Sequence, residues 1–178
     1  TNFTISCLLR GTKKHSYKEI QEQVELLGGT ISGYSTKNIS GMKGRFLSEN
    51  FSETINLLGD ILNNFDPPQE EIEKTKKLVI SDIRKKSENP TKLLKDLYFS
   101  NIYSETPLSF PVEGYENTVS KFNKEMILKH FRKIFNPSQL YIVFSGDLPK
   151  NASDDIINML EKLPVSNDIY KPVVTPKP

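Results

Sequence analysis

The chain has 178 residues, 24 of them Lys or Arg and 22 Asp or Glu. That length can bury a core, and the near balance of charge argues against nucleic acid or an anionic membrane as partner. No run reaches the roughly 18 apolar residues of a membrane span, and the single cysteine, Cys7, excludes an internal disulfide.

The stretch NFTISCLLRGT, residues 2–12, begins with no start signal before it. Phe3, Ile5, Cys7 and Leu9 alternate with their neighbours at the strand period, whereas Leu8 and Leu9 ahead of Arg10 and Gly11 read as the last turn of a helix. Cys7 has no neighbouring base or cationic cluster and reads as a small buried hydrophobe. Ser16-Tyr-Lys-Glu19 is a capping box; Ile20, Val24 and Leu27 follow at helical spacing, and Gly28-Gly29 ends the helix. Residues 30–37 and 39–47 read as the arms of a hairpin around a Thr-Lys-Asn centre. Its glycines, 33, 41 and 44, lack any phosphate-loop spacing and mark close backbone approach or bulges.

Phe51, Ile55, Leu58, Ile61, Leu62 and Phe65 form the strongest helical stripe in the chain. Pro67-Pro68 stops it and opens a second helix, Pro68 at its first position, running to about Lys86. Ile72, Val79 and Ile83 face inward there, and Lys74, Lys77, Lys85 and Lys86 face solvent. Asn89-Pro90 opens a helix through Leu93, Leu94, Leu97 and Tyr98, and residues 101–117 form an irregular loop. Asn123 caps a helix carrying Ile127, Phe131, Ile134 and Phe135, which Asn136-Pro137 stops. QLYIVFSGD, residues 139–147, reads as a short buried strand, and residues 154–163 as a last helix. KPVVTPKP, residues 171–178, is proline-rich and reads as linker. The order predicts an α+β domain, its helices packed on one face of a mixed, mostly antiparallel sheet. Three strands are few for six helices, so the sheet is expected to lack strands.

LLRGTKKHSYKEIQEQVELLGG (8–29), FDPPQEEIEKTKKLVISDIRKKSENP (65–90), PVEGYENTV (111–119) and FNPSQLYIVFSGDL (135–148) together resemble successive signatures of the pitrilysin/insulinase-like zinc metallopeptidases. That group includes the mitochondrial processing peptidases and bacterial zinc proteases. The resemblance implies one of four related α+β domains that enclose a chamber where peptides are cleaved. It implies a helix at residues 1–9, and it places the first strands of the domain upstream of residue 1.

Active members carry His-x-x-Glu-His just before the Gly-Thr pair, and a distant glutamate completes the zinc site. By resemblance the two histidine positions are Asn2 and Ser6, the glutamate position is Ile5, and the distant ligand is Asp82. Asn is a poor zinc ligand, Ile cannot take a proton, and a lone carboxylate does not hold catalytic zinc. The only histidines, His15 and His130, lie far apart, and neither has a second ligand at helical spacing. No G-x-S-x-G elbow points to serine catalysis instead.

The reading that follows is a non-catalytic domain, residues 1–165, with 166–178 as linker toward a following domain. It would form part of the substrate chamber of a zinc metalloendopeptidase, with no cofactor in this chain and zinc in the catalytic domain of the parent. Its partners would be the upstream strands or the catalytic half of the same protein, a second copy in a dimer or a companion chain, and peptide substrates. The alternative is a catalytically dead homologue that binds peptides or scaffolds a partner peptidase.

Overall fold

Asn2–Ser6 is a helix, α1, and not the strand that the alternation of Phe3, Ile5 and Cys7 suggests. Phe3, Thr4, Ile5, Cys7 and Leu8 are all buried, so both faces of this short turn meet protein and an alternating pattern carries no information about period. The computed structural model describes residues 1–163 and 165.

The cap at Ser16 forms as the sequence predicts. Glu19 N–H donates to Ser16 Oγ at 3.4 Å, and Ser16 N–H donates to Glu19 Oε2 at 2.7 Å. Helix α2, Tyr17–Leu26, follows with Ile20 and Val24 buried, and Gly28 beyond it takes φ +60°, the left-handed turn that glycine adopts without strain.

The hairpin comprises β1, Thr30–Ser35, and β2, Ser40–Arg45, antiparallel with Thr30 opposite Arg45 and Ser35 opposite Ser40. Its arms are shorter than the sequence suggests because Thr36 folds the tip, its hydroxyl and its N–H both meeting Ile39 O. α1 lies across both strands. Gly33 permits this: a Cβ there would stand 2.5 Å from Ile5 Cγ2 and 2.9 Å from Ile5 O.

Helix α3, Phe51–Asn63, buries Phe51, Ile55, Ile61 and Leu62 of the predicted stripe; Leu57 is buried where Leu58 is expected to be, and Phe65 packs beyond the helix end. Helix α4, Gln69–Ser87, begins after Pro68, whose extended ψ of 150° puts it at the cap and not in the first turn. Ile72, Thr75 and Val79 are its buried residues. Helix α5, Pro90–Ile102, buries none. The expected loop holds a short 3-10 turn at Pro107–Ser109 and helix α6, Glu116–Val119. Helix α7, Lys124–Ile134, is capped by Asn123, which accepts from Met126 N–H at 2.9 Å, and buries Ile127 and Phe131. Helix α8, Ala152–Leu160, starts two residues before the predicted position and packs on α3. None of these helices is long and apolar enough to cross a membrane.

The architecture is α+β, with one core running through α1, α2, α3, α4, α7 and α8. One strand is a correction. Residues 140–144 belong to no sheet among the described residues; Leu140, Ile142 and Phe144 pack on the core while Tyr141 and Val143 are 95% and 89% exposed. The segment alternates like a strand, but it is half-exposed where the sequence suggests full burial. The expected linker, 166–178, lies outside the described residues.

Gly33→Ala is expected to lower stability by about 1–3 kcal/mol, because the Ile5 carbonyl cannot move without displacing α1. Thermal or chemical denaturation measures this, and Gly41→Ala, whose new methyl meets only the end of the Tyr34 side chain, should cost less.

Candidate functional site

α1 stands between two cavities. The larger, about 400 Å³, is lined by Asn2, Ser6, Val79, Asp82, Lys85, Lys86, Lys92 and Glu113. The smaller, about 250 Å³, lies between α1 and β1, with Asn2, Ile5, Ser6, Leu9 and residues 31–35 on its walls. Asn2 and Ser6, one helical turn apart, border both.

The structure therefore brings Asn2, Ser6 and Asp82 to one cavity, although 76 residues separate Ser6 from Asp82. Ile5 is not part of that wall; it is buried against Gly33 and borders the smaller cavity. Ser6 Oγ donates to Asn2 O at 3.0 Å. Asp82 and Lys85 are exposed and make no hydrogen bond or ion pair among the described residues.

Lys86 corrects another expectation: it is half-buried, not solvated. Its Nζ lies 2.8 Å from Asp96 Oδ2 and 2.6 Å from Glu113 Oε2. Burial opposes its charge, but hydrogen bonds to Asp96 and Glu113 outweigh that and raise its pKa above the ordinary 10.5.

Zinc sites are built from His, Cys and carboxylates. This cavity offers an amide, a hydroxyl, Asp82 and Glu113, the last held by Lys86, with two more lysines beside them, and that set does not fit a catalytic zinc. Among the described residues no group of three or more His, Cys, Asp or Glu is placed to hold a metal ion. Cys7 is no alternative nucleophile, since burial pushes its thiol up to about 12.

The two histidines are not brought together. His130 Nε2 lies 3.0 Å from Thr1 Oγ1. His15 belongs to a second cluster, which sequence reasoning missed. Thr12 Oγ1 donates to Asp60 Oδ2 at 2.7 Å, His15 Nδ1 lies 2.9 Å from the same oxygen, and Asn64 Nδ2 donates to Oδ1 at 2.7 Å. Burial disfavours the Asp60 charge, but these hydrogen bonds outweigh it and hold its carboxyl below the usual range. The only sign of it in the sequence is an acid inside the apolar stripe of α3.

The insulinase family, peptidase family M16, matches residues 1–116. The chain belongs to that family. It is 29% identical over 163 residues to an uncharacterized zinc protease of Rickettsia felis, covering 92% of this chain and 39% of the relative. It is 24% identical over 143 residues to cytochrome b-c1 complex subunit 1 of Bos taurus, covering 78% of this chain and 29% of that protein. The chain thus spans about two fifths or less of the length of these relatives. Among solved structures, a peptidase M16 inactive domain from Pseudomonas fluorescens superposes with a TM-score of 0.84 at 18% identity, over 92% of this chain and 40% of that one. A protease from Helicobacter pylori gives 0.76 at 15%, over 99% and 43%. Both share the fold.

Asp60→Ala is expected to cost about 2–3 kcal/mol by leaving the Thr12, His15 and Asn64 groups without their acceptor. Because the folded carboxyl sits below its unfolded value, its contribution is full above about pH 4 and is lost as pH falls through the folded value. Denaturation of the parent and of Asp60→Asn should therefore differ at pH 7 and converge in acid.

Proposed function

We propose that this chain is a non-catalytic insulinase-family domain. It forms one wall of a peptide chamber in a longer protein and packs against a catalytic half that holds the zinc. One observation carries the reading: Asn2, Ser6 and Asp82, the positions that the resemblance aligns with the family's metal ligands, converge on a single cavity whose side chains do not make a zinc ligand set. Such a cavity can hold an extended peptide through Asn2 and the lysines without cutting it. The relatives called zinc proteases support zinc in the catalytic half, and therefore proteolysis by the whole protein.

A second reading has its own support. The bovine relative is named as a subunit of the cytochrome b-c1 complex, and a further fold neighbour is a complex III from Candida albicans. On that reading the chain is a catalytically dead homologue that scaffolds a partner subunit. Either way the partner has an edge to dock on. Residues 141–145 make no backbone hydrogen bond among the described residues, and Leu140 to Gly146 carries no charge or proline to discourage strand pairing. A strand from upstream, from the companion half or from a second copy fits there.

Metal analysis and peptide titration test the proposal separately. The purified chain is expected to retain no stoichiometric zinc after dialysis and to cleave no unfolded peptide. Peptide at millimolar concentration should shift the amide resonances of Asn2, Ser6 and Asp82. One zinc per chain, lost in Asp82→Ala, would overturn the non-catalytic reading; unshifted amides would overturn the peptide-wall reading.

A further inference from the structure

We propose that α5 and the loop after it, residues 90–113, form a lid over the α1–α4 cavity, latched shut by Lys37 and Lys86. Between Val79 and Val119 no residue is buried, and none of residues 90–113 packs on the core. Segments with few buried contacts are the ones that open first.

The lid is nevertheless a unit. Phe99 stacks on Tyr103 at 5.5 Å and meets Tyr98 edge-on at 5.7 Å. Thr106 Oγ1 donates to Tyr103 O, and Ser109 Oγ to Thr106 O, closing the loop on its own helix. Among the described residues, its side-chain polar fastenings to the rest of the molecule come from two ammonium groups. Lys37, in the hairpin tip, donates to Leu108 O at 2.8 Å and Phe110 O at 2.6 Å and sits 4.6 Å from the Phe99 ring centroid. Lys86, on α4, holds Asp96 of α5 and Glu113 at the far end of the loop.

The ends of the unit are built as hinges. At one, α4 ends at Ser87 and Asn89 starts a new helix, its side chain accepting from Lys92 N–H at 3.1 Å. At the other, Gly114 takes φ +82°, and the chain beyond it is pinned by the Arg84–Glu116 ion pair and by Val119, 1% exposed. Lys92 and Glu113, both carried by the moving unit, line the cavity, so swinging it outward removes part of the wall over Asn2 and Ser6. Two hinges, a self-contained middle and two single-residue latches are the parts of a gated cleft. That the gate admits peptide rests on the reading above; the latch is tested without one.

The test uses Val79→Cys in the full chain, on the wall of the α1–α4 cavity and not of the other, labelled with iodoacetamide, with and without Lys37→Met and Lys86→Met together. Ser32→Cys, on the hairpin wall of the other cavity, is the control. Loss of both latches is expected to speed labelling at position 79 about tenfold or more and to leave position 32 unchanged. Amide exchange should quicken across 90–113 and stay slow at Leu8, Ile20 and Ile61. Lys37→Arg with Lys86→Arg should label near the parent rate. Equal labelling at position 79 with and without the latches would overturn the lid. So would equal acceleration at 79 and 32, or faster exchange at Leu8, Ile20 and Ile61, which marks general loosening.

Discussion

Asp60 is 8% exposed, in the last turn of α3, and three side chains hydrogen-bond to its carboxylate, Thr12, His15 and Asn64, with the Lys14 ammonium 3.7 Å away. A carboxylate so placed is tolerable only while its partners stay in position. The partners come from the turn between α1 and α2 and from the end of α3, so satisfying Asp60 fixes the two against each other. Lys13 N–H to Asn64 O at 2.8 Å and the bridge between Thr12 and Phe65 reinforce the same joint. α1 ends only six residues before Thr12, and its place in the molecule follows from that joint.

From α1 the site follows. It is wedged over Gly33 on one side and packs on α4 on the other, which sets Asn2 and Ser6 opposite Asp82. The side chains that meet there are an amide, a hydroxyl and two carboxylates among lysines. Lys86 brings its ammonium to this wall already paired with Asp96 and Glu113.

Much of this was legible from the sequence where a local rule decides the outcome. The Ser16 cap, the Asn123 cap and the left-handed Gly28 are each set within a few residues, and they stand where the spacing puts them. Reading failed where distant partners decide. The strand-like alternation of residues 2–8 misleads because Phe3, Thr4, Ile5, Cys7 and Leu8 are all buried, and the helix there was legible only through the family resemblance. Residues 139–145 have strand composition, but a strand also needs a ladder partner, and composition does not show whether one is supplied. Leu93, Leu94 and Leu97 have helical spacing and form α5, but the spacing does not reveal that they remain exposed. Lys86 and Asp60 were missed for the same reason, since their partners lie in other elements.

The central claim is that α1 and α4 hold the arrangement of a metallopeptidase site with its ligands replaced. Calorimetry on Asn2→His, Ile5→Glu, Ser6→His and Asp82→Glu combined, in the full chain, tests it most directly. Histidines at 2 and 6 share one face of α1, and a longer acid at 82 reaches toward it, so zinc is expected to bind with a Kd on the order of micromolar or tighter. A folded quadruple variant that takes up no zinc would contradict the account.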